Sequence, residues 1–295
     1  MLTTFECAGH PRDMGLAQGA ALRDALRSES ERLGLPLHRS RMPSLRPLAI
    51  GAVRGVGAGR EMFRHFAHLA ERLEGVAKSA DLPLDTVLEL HLRIREGGER
   101  GGLLARRAVV RASAEEGSAS GKCWCLERTL PVAAEGEAGW VLRESRPQVG
   151  YRSVEVTLPW LVSSVAGVNE AGLAVVAAPL LWGAPGREGN PTSLLLVQEC
   201  LQRFPDLEGA LDWCRKRPVE GEQSLVLADA NGDLATVAFS GRDCRVLPGD
   251  GELQLEGGEP FAQSGETSED QILVDPVGRR LHARFDGLDV DVEVD

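Results

Sequence analysis

The stretch Gly167-Val168-Asn169-Glu170-Ala171-Gly172-Leu173-Ala174-Val175 decides how the rest of the chain is read. An Asn-Glu-x-Gly turn stands between two apolar runs, 154–166 and 173–181. Asn and Gly tolerate the positive φ that tight connections demand. The segment therefore reads as a β-hairpin whose arms are apolar enough to lie inside a sheet.

Outward from that hairpin, further short strands are expected at 122–130, 139–144, 150–158, 161–168 and 172–178. A loop rich in Gly and Pro (183–191) comes next, then a helix at 192–203 opened by Thr192. A second helix, 206–216, places Leu207, Ala210, Leu211 and Cys214 on one face. Strands return at 223–229, 234–240 and 243–247, the first two split by Asp229-Ala230-Asn231-Gly232-Asp233. A last hairpin, 271–275 and 279–285, turns at Pro276-Val277-Gly278.

Upstream the texture is helical. A strand at 2–8 runs through Gly9-His10-Pro11-Arg12-Asp13 into a helix at 14–34, with Met14, Ala17, Ala21, Leu22, Ala25 and Leu26 at helical spacing. Pro36, Pro43 and Pro47 interrupt the chain after that helix, leaving a loop and a short helix over 38–60. Phe63, Phe66, Ala67, Ala70, Leu73 and Val76 predict a helix over 61–80, and Asp81-Leu82-Pro83-Leu84-Asp85 introduces another at 84–95. The Gly-, Ser- and charge-rich segment 96–121 reads as flexible and as the boundary between 1–121 and 122–295, two parts of one compact unit. Helices, strands, two helices and strands again predict an α+β fold with antiparallel sheets, not a βαβ alternation. There is no internal repeat, P-loop or dinucleotide fingerprint.

Composition excludes several classes. Of 295 residues, 43% are apolar and 26% charged, ordinary for a globular chain. The net charge of −11 and a basic N-terminal part interleaved with acids, with few aromatics, argue against nucleic acid as partner. No apolar run reaches the ~18 residues of a membrane span, and the opening lacks a signal-peptide pattern, so a cytoplasmic location is expected. Cys7, Cys123, Cys125, Cys200, Cys214 and Cys244 read as free thiols. Cys123-x-Cys125 has no second Cys/His pair at zinc spacing, and the six histidines show no metal pattern, so neither metal nor cofactor is expected. His65 and His68 are expected to face solvent, and Glu127, Glu144 and Glu155 to be either paired carboxylates or strand-edge glutamates.

Several segments together resemble the cysteine Ntn hydrolases that include isopenicillin-N acyltransferase and, more distantly, choloylglycine hydrolase. Gly9-His10-Pro11-Arg12-Asp13-Met14-Gly15-Leu16-Ala17-Gln18-Gly19 is similar to that group's opening motif. Leu73-Glu74-Gly75-Val76-Ala77 with Leu82-Pro83-Leu84-Asp85 resembles its helix pair. The Asn169 turn, the helix 210–217, Leu227-Ala228-Asp229-Ala230-Asn231-Gly232-Asp233 and Ile272-Leu273-Val274-Asp275-Pro276 match it in order. The resemblance implies an Ntn-hydrolase-like four-layer αββα sandwich with an N-terminal helical segment, 1–121, that such enzymes cleave off. It also implies a small N-acyl substrate or ligand; homo-oligomerisation is left open.

In such enzymes a thiol attacks an amide carbonyl and the free α-amine of the same residue serves as base. A thiol suits this because nearby positive charge readily lowers its pKa. By the resemblance the nucleophile is Cys123, with Cys125 as the alternative because two residues on it points to the same face. Arg143 corresponds to the arginine lining the nucleophile, and Asn169 to the turn asparagine, expected to be structural.

The departures from the pattern are specific. The Arg-Asn-x-Asp of the family is here Arg143-Glu144-Ser145-Arg146, and the asparagine expected as oxyanion donor falls at Ala178. Lys122, not glycine, precedes Cys123, and the later Asn-His segment has no counterpart between Arg245 and Gln271. Each lost oxyanion donor costs ~3 kcal/mol of barrier, about two orders of magnitude in rate. Two functions are therefore expected: an amide C–N hydrolase or acyltransferase self-processed before Cys123, or an unprocessed, catalytically degraded relative that acts as a ligand-binding or interaction module.

Overall fold

The computed structural model describes residues 3–38, 64–92, 108–118, 121–131, 133, 138–178, 193–217, 224–240, 243–249, 251–257, 271–285 and 288–294. In chain order the elements are β1 (Thr3–Gly9), α1 (Pro11–Ala21), α2 (Arg23–Arg32), α3 (Ala67–Ser79), α4 (Leu84–Leu92), β2 (Ala108–Ser118) and β3 (Gly121–Thr129). After these come β4 (Val141–Pro147), β5 (Ser153–Thr157), β6 (Ala166–Asn169), β7 (Leu173–Ala178), α5 (Ser193–Arg203) and α6 (Leu207–Lys216). The last are β8 (Ser224–Asp229), β9 (Leu234–Ser240), β10 (Asp243–Pro248), β11 (Leu253–Gly257), β12 (Gln271–Asp275), β13 (Arg280–Phe285) and β14 (Leu288–Glu293).

Two sheets form: β1-β4-β5-β6-β7-β8-β9-β10 and β11-β2-β3-β12-β13-β14. All the described pairings are antiparallel except β1 with β4, which is parallel at the sheet edge. The α+β class with two stacked sheets is as the residue pattern predicts. The described helices that reach a sheet reach the eight-stranded one, giving the layer order helices, eight strands, six strands.

Alternation explains the stacking. Trp124 and Leu126 on β3, and Leu130 just after it, are buried, and on β12 and β13 Ile272, Val274, Leu281 and Ala283 are buried. These point between the sheets. The opposite face of the six-stranded sheet carries water-facing ion pairs, Arg111–Glu127 and Arg284–Asp289 among them. β7 and β8 are buried at every position, as central strands covered on both faces must be. β5, Ser-Val-Glu-Val-Thr, is also wholly buried, with valines toward the other sheet and polar residues toward the helices.

The Gly167–Val175 hairpin is present as β6 and β7, and Gly172 takes φ +89 at its turn. A Cβ there would lie 2.7 Å from both Ala230 and the Pro276 carbonyl. The turn therefore docks against the β8–β9 and β12–β13 turns.

Some expectations change. The helix at 14–34 starts instead at Pro11 and breaks at Leu22 (φ −115, ψ 20) into α1 and α2. The strand at 161–168 begins only at Ala166, because 158–165 turns its carbonyls toward buried donors. Within the segment 96–121, residues 108–118 form a strand, and 96–107 and 119–120 lie outside the described residues. Val110 and Ala112 face the core at period two, and β2 pairs with both β3 and β11. Residues 3–118 thus add β1 to one sheet and β2 to the other. β11 and β14 lie where no strand was expected; both sit at sheet edges, where acidic residues on the solvent side hide the alternation. The short helix expected within 38–60, the residues 61–63 and 93–95, and the loop 183–191 lie outside the described residues.

Candidate functional site

Cys123 and Cys125 lie on β3, just beyond the hairpin in which Ser118 pairs with Gly121. The inner face of β3 is settled by two long-range bonds. Trp124 Nε1 donates to the Gly232 carbonyl in the β8–β9 turn and Arg128 Nη1 to the Ala177 carbonyl on β7, both belonging to the eight-stranded layer. Strand alternation then turns Cys123 and Cys125 to the other face. Both thiols are reduced and buried, and Cys125 Sγ lies 3.5 Å from the Val274 carbonyl.

Arg143 lies elsewhere. It sits on β4, fully buried, and faces the helical layer. Its Nε donates to Glu155 Oε2 at 2.6 Å, Nη1 to Gln18 Oε1 and the Leu161 carbonyl, and Nη2 to the Ser163 carbonyl and Gln198 Oε1. A guanidinium has five N–H donors, and all five are occupied. Two sheets stand between this group and the Cys123 thiol, and stacked sheets are ~10 Å apart. The structure does not bring Cys123 or Cys125 together with Arg143.

The network around Arg143 draws on the whole helical face. Glu155 Oε1 accepts from Ser153 Oγ at 2.5 Å and from Gln198 Nε2 at 2.9 Å. Gln18 Nε2 donates to the carbonyls of Pro159 and Leu161, both at 3.0 Å. Burial alone would raise the Glu155 pKa, but Arg143, Arg72 and the hydrogen bonds from Ser153 and Gln198 outweigh it and hold the carboxyl below its ordinary range. Glu155 is thus no strand-edge carboxylate. Cys7, on β1, lies against Arg72 of α3; burial pushes its thiol pKa up despite the two nearby arginines. That leaves Cys7 protonated at neutral pH and a poor nucleophile.

Asn169 is a structural tie. Its Nδ2 donates to the Leu201 and Phe204 carbonyls at the end of α5, at 2.9 and 2.8 Å. Its Oδ1 accepts from the Ala171 and Leu173 amides, closing the β6–β7 turn. His68 does not simply face solvent: its Nε2 is 2.5 Å from Glu199. His91 is buried; its Nδ1 meets the Val87 carbonyl at 2.9 Å and its Nε2 accepts from the Val162 amide at 3.2 Å. Burial brings the His91 pKa down to about 4, so the ring is neutral.

Residue-by-residue reading missed Gln18, Gln198, Arg72 and His91. Only Glu155 carried a local signal, a carboxylate between two valines of a strand. The others come from helices that meet only in the fold. Among the described residues no group of three or more His, Cys, Asp or Glu side chains is placed to hold a metal. No helix among them is long and apolar enough to cross a membrane.

No family model matches this sequence, and no curated protein matches it. Solved structures that it resembles include a mutant of conjugated bile acid hydrolase from Clostridium perfringens, at 7% identity and TM-score 0.45, covering 62% of this chain and 92% of that one. Penicillin V acylase from Agrobacterium tumefaciens is similar at 12% identity and TM-score 0.35, over 63% of this chain and 77% of that one. The Caenorhabditis elegans ortholog of N-acylethanolamine-hydrolyzing acid amidase is similar at 10% identity and TM-score 0.38, over 58% of this chain and 93% of that one.

Proposed function

We propose that this chain is an uncut relative of the cysteine Ntn amide hydrolases that binds a small N-acyl compound without turning it over efficiently. One observation carries the reading: Arg143, the cation expected beside the nucleophile, has every donor occupied on the far side of the eight-stranded sheet. From there Arg143 cannot supply Cys123 with the positive charge that favours a thiolate in such enzymes. Ala178 in place of the oxyanion asparagine and Arg146 in place of the carboxylate that orients the α-amine work in the same direction.

A second reading has its own support. Cys123 stands two residues past the Ser118–Gly121 closure, so a cut between Lys122 and Cys123 would leave β2 and β3 paired along 110–115 and 123–128. That geometry suits a self-processed hydrolase or acyltransferase related to isopenicillin-N acyltransferase, with Cys123 as nucleophile and Cys125 as its alternative.

Intact mass after expression separates the two. A single full-length species whose Cys123 and Cys125 alkylate no faster than a free thiol is expected for the uncut binder. Two fragments that begin and end at the Lys122–Cys123 bond, lost in Cys123→Ala, would replace it with the hydrolase.

A further inference from the structure

Three of the six cysteines meet at the α5–α6 helix pair. Cys200 of α5 and Cys214 of α6 are fully buried, and their sulfurs lie 3.8 Å apart, each the other's hydrogen-bond partner. Cys244 stands on β10 and is partly exposed. It is near enough to Cys214 for a charge on one to be felt at the other, so Cys214 lies close to the surface on that side.

The backbone that carries the pair is held from several directions. On α5, Gln198 is bonded to Arg143 and Glu155, and the Leu201 and Phe204 carbonyls accept from Asn169. At the start of α6 the Asp206 carboxylate caps the Gly209 amide, and the Leu207 amide donates to Asp229 Oδ2. The sulfurs are thus kept face to face by ties in which neither thiol takes part. Closing 3.8 Å to the ~2.05 Å of a disulfide moves each sulfur by about 0.9 Å, a matter of side-chain rotation. Access comes through α6, which buries only Leu207, Ala210 and Cys214 and turns Glu208, Asp212, Arg215 and Lys216 to water. A short helix with so few buried contacts opens locally at low cost.

We propose that Cys200 and Cys214 are an oxidative cross-link site, converted by hydrogen peroxide into a disulfide that fastens α5 to α6. One thiol attacks the peroxide O–O bond and becomes a sulfenic acid, releasing the first water. The other thiol attacks that sulfur, forming the S–S bond and releasing the second water. Two thiols give up two hydrogens and two electrons in all, and the peroxide is reduced to water. The neighbouring Cys214 thiol and burial both push the Cys200 pKa well above its ordinary value. Little thiolate is present while the helices are closed, and opening of α6 paces the reaction. The inference stands whether or not the chain is cut before Cys123.

The test is peptide mapping of the full chain after exposure to millimolar hydrogen peroxide, with the remaining thiols blocked by N-ethylmaleimide in denaturant. Wild type is expected to lose two of its six thiols and to yield one disulfide, between the tryptic peptides 188–203 and 204–215. A cross-link over so short a loop restricts the unfolded chain, and the Tm should rise by about 5 °C and fall back with dithiothreitol. Cys244→Ser should form the same bond, whereas Cys200→Ala and Cys214→Ala should show neither the bond nor the shift. A link through Cys244, a sulfinic acid in place of the disulfide, or a cross-linked chain that melts no higher than the reduced one would overturn the assignment. So would six surviving thiols under conditions that oxidise the urea-unfolded chain. The wild-type map and melt decide the matter even if a cysteine variant does not fold.

Discussion

Arg143 and Glu155 oppose each other in register on β4 and β5, with Nη2 2.5 Å from the carboxylate and both side chains out of water. Removing one partner leaves a buried charge uncompensated, which costs about 3–5 kcal/mol. Arg143→Met and Glu155→Gln should each lose that much in urea unfolding, and the Arg143→Met/Glu155→Met pair should lose less than either alone. Because the Glu155 pKa is depressed in the fold, its contribution is present above the ordinary carboxylate range and is lost as pH falls through the depressed value. Glu155→Gln should therefore flatten the acid limb of the stability curve. Arg143→Lys should leave the alkylation rate of Cys123 unchanged; a slower rate would restore Arg143 as its activator.

His91 governs a higher pH window. Its ring is neutral in the fold, with a pKa of about 4 against an ordinary 6.5, because burial disfavours the charged form. The unfolded chain takes up the proton first as pH falls. Stability is then flat above about 6.5 and falls between 6.5 and 4, by up to ~3 kcal/mol in all. His91→Gln should be less stable at pH 7 but should lose little further over that window. Chemical denaturation at half-unit pH steps measures both slopes, and parallel curves would contradict the assignment.

The hairpin at Gly167–Val175, the paired helices α5 and α6, and the β8–β9 and β12–β13 turns were legible because each is written in local chemistry: turn glycines and asparagines, or apolar residues at one period. β2 was not, since polar residues such as Arg111 and Ser113 on its exposed face interrupt the apolar ones and its composition matches a linker. The site was less legible still. Thiols and arginines can be found in a sequence, but whether Arg143 meets Cys123 depends on which face of which sheet each occupies. β3 and β4 are neighbours in sequence and belong to different sheets.

The opening Gly9–Gly19 motif finds its cause in packing rather than chemistry. Gly15 and Gly19 of α1 lie against the backbone of α3, and Gly75 of α3 lies against that of α1. A Cβ on Gly15 would overlap the Arg72 carbonyl, and one on Gly75 would overlap that of Arg12. On a free helix Gly→Ala is worth ~1 kcal/mol of added stability. Here Gly15→Ala and Gly75→Ala should instead each cost about 3 kcal/mol, because backbone cannot move aside as a side chain does. A thermal melt decides the sign, and an upward shift would mean that the two helices are not in backbone contact.

Asn169 offers the cleanest separation of a structural from a catalytic asparagine. Its amide makes four bonds, two to carbonyls near the end of α5 and two from amides of its own turn. Asn169→Ala leaves the Leu201 carbonyl and the Leu173 amide without that partner, and a buried unsatisfied group costs ~1–3 kcal/mol. The expected loss is about 3 kcal/mol, a fall in Tm on the order of 6–10 °C. Asn169→Asp should fare no better, since it keeps the two acceptor bonds but sets a carboxylate against two carbonyl oxygens. Ligand affinity, titrated well below the melting transition of each variant, should be unchanged. A variant that folds with wild-type stability yet fails to bind would place Asn169 in the ligand site instead.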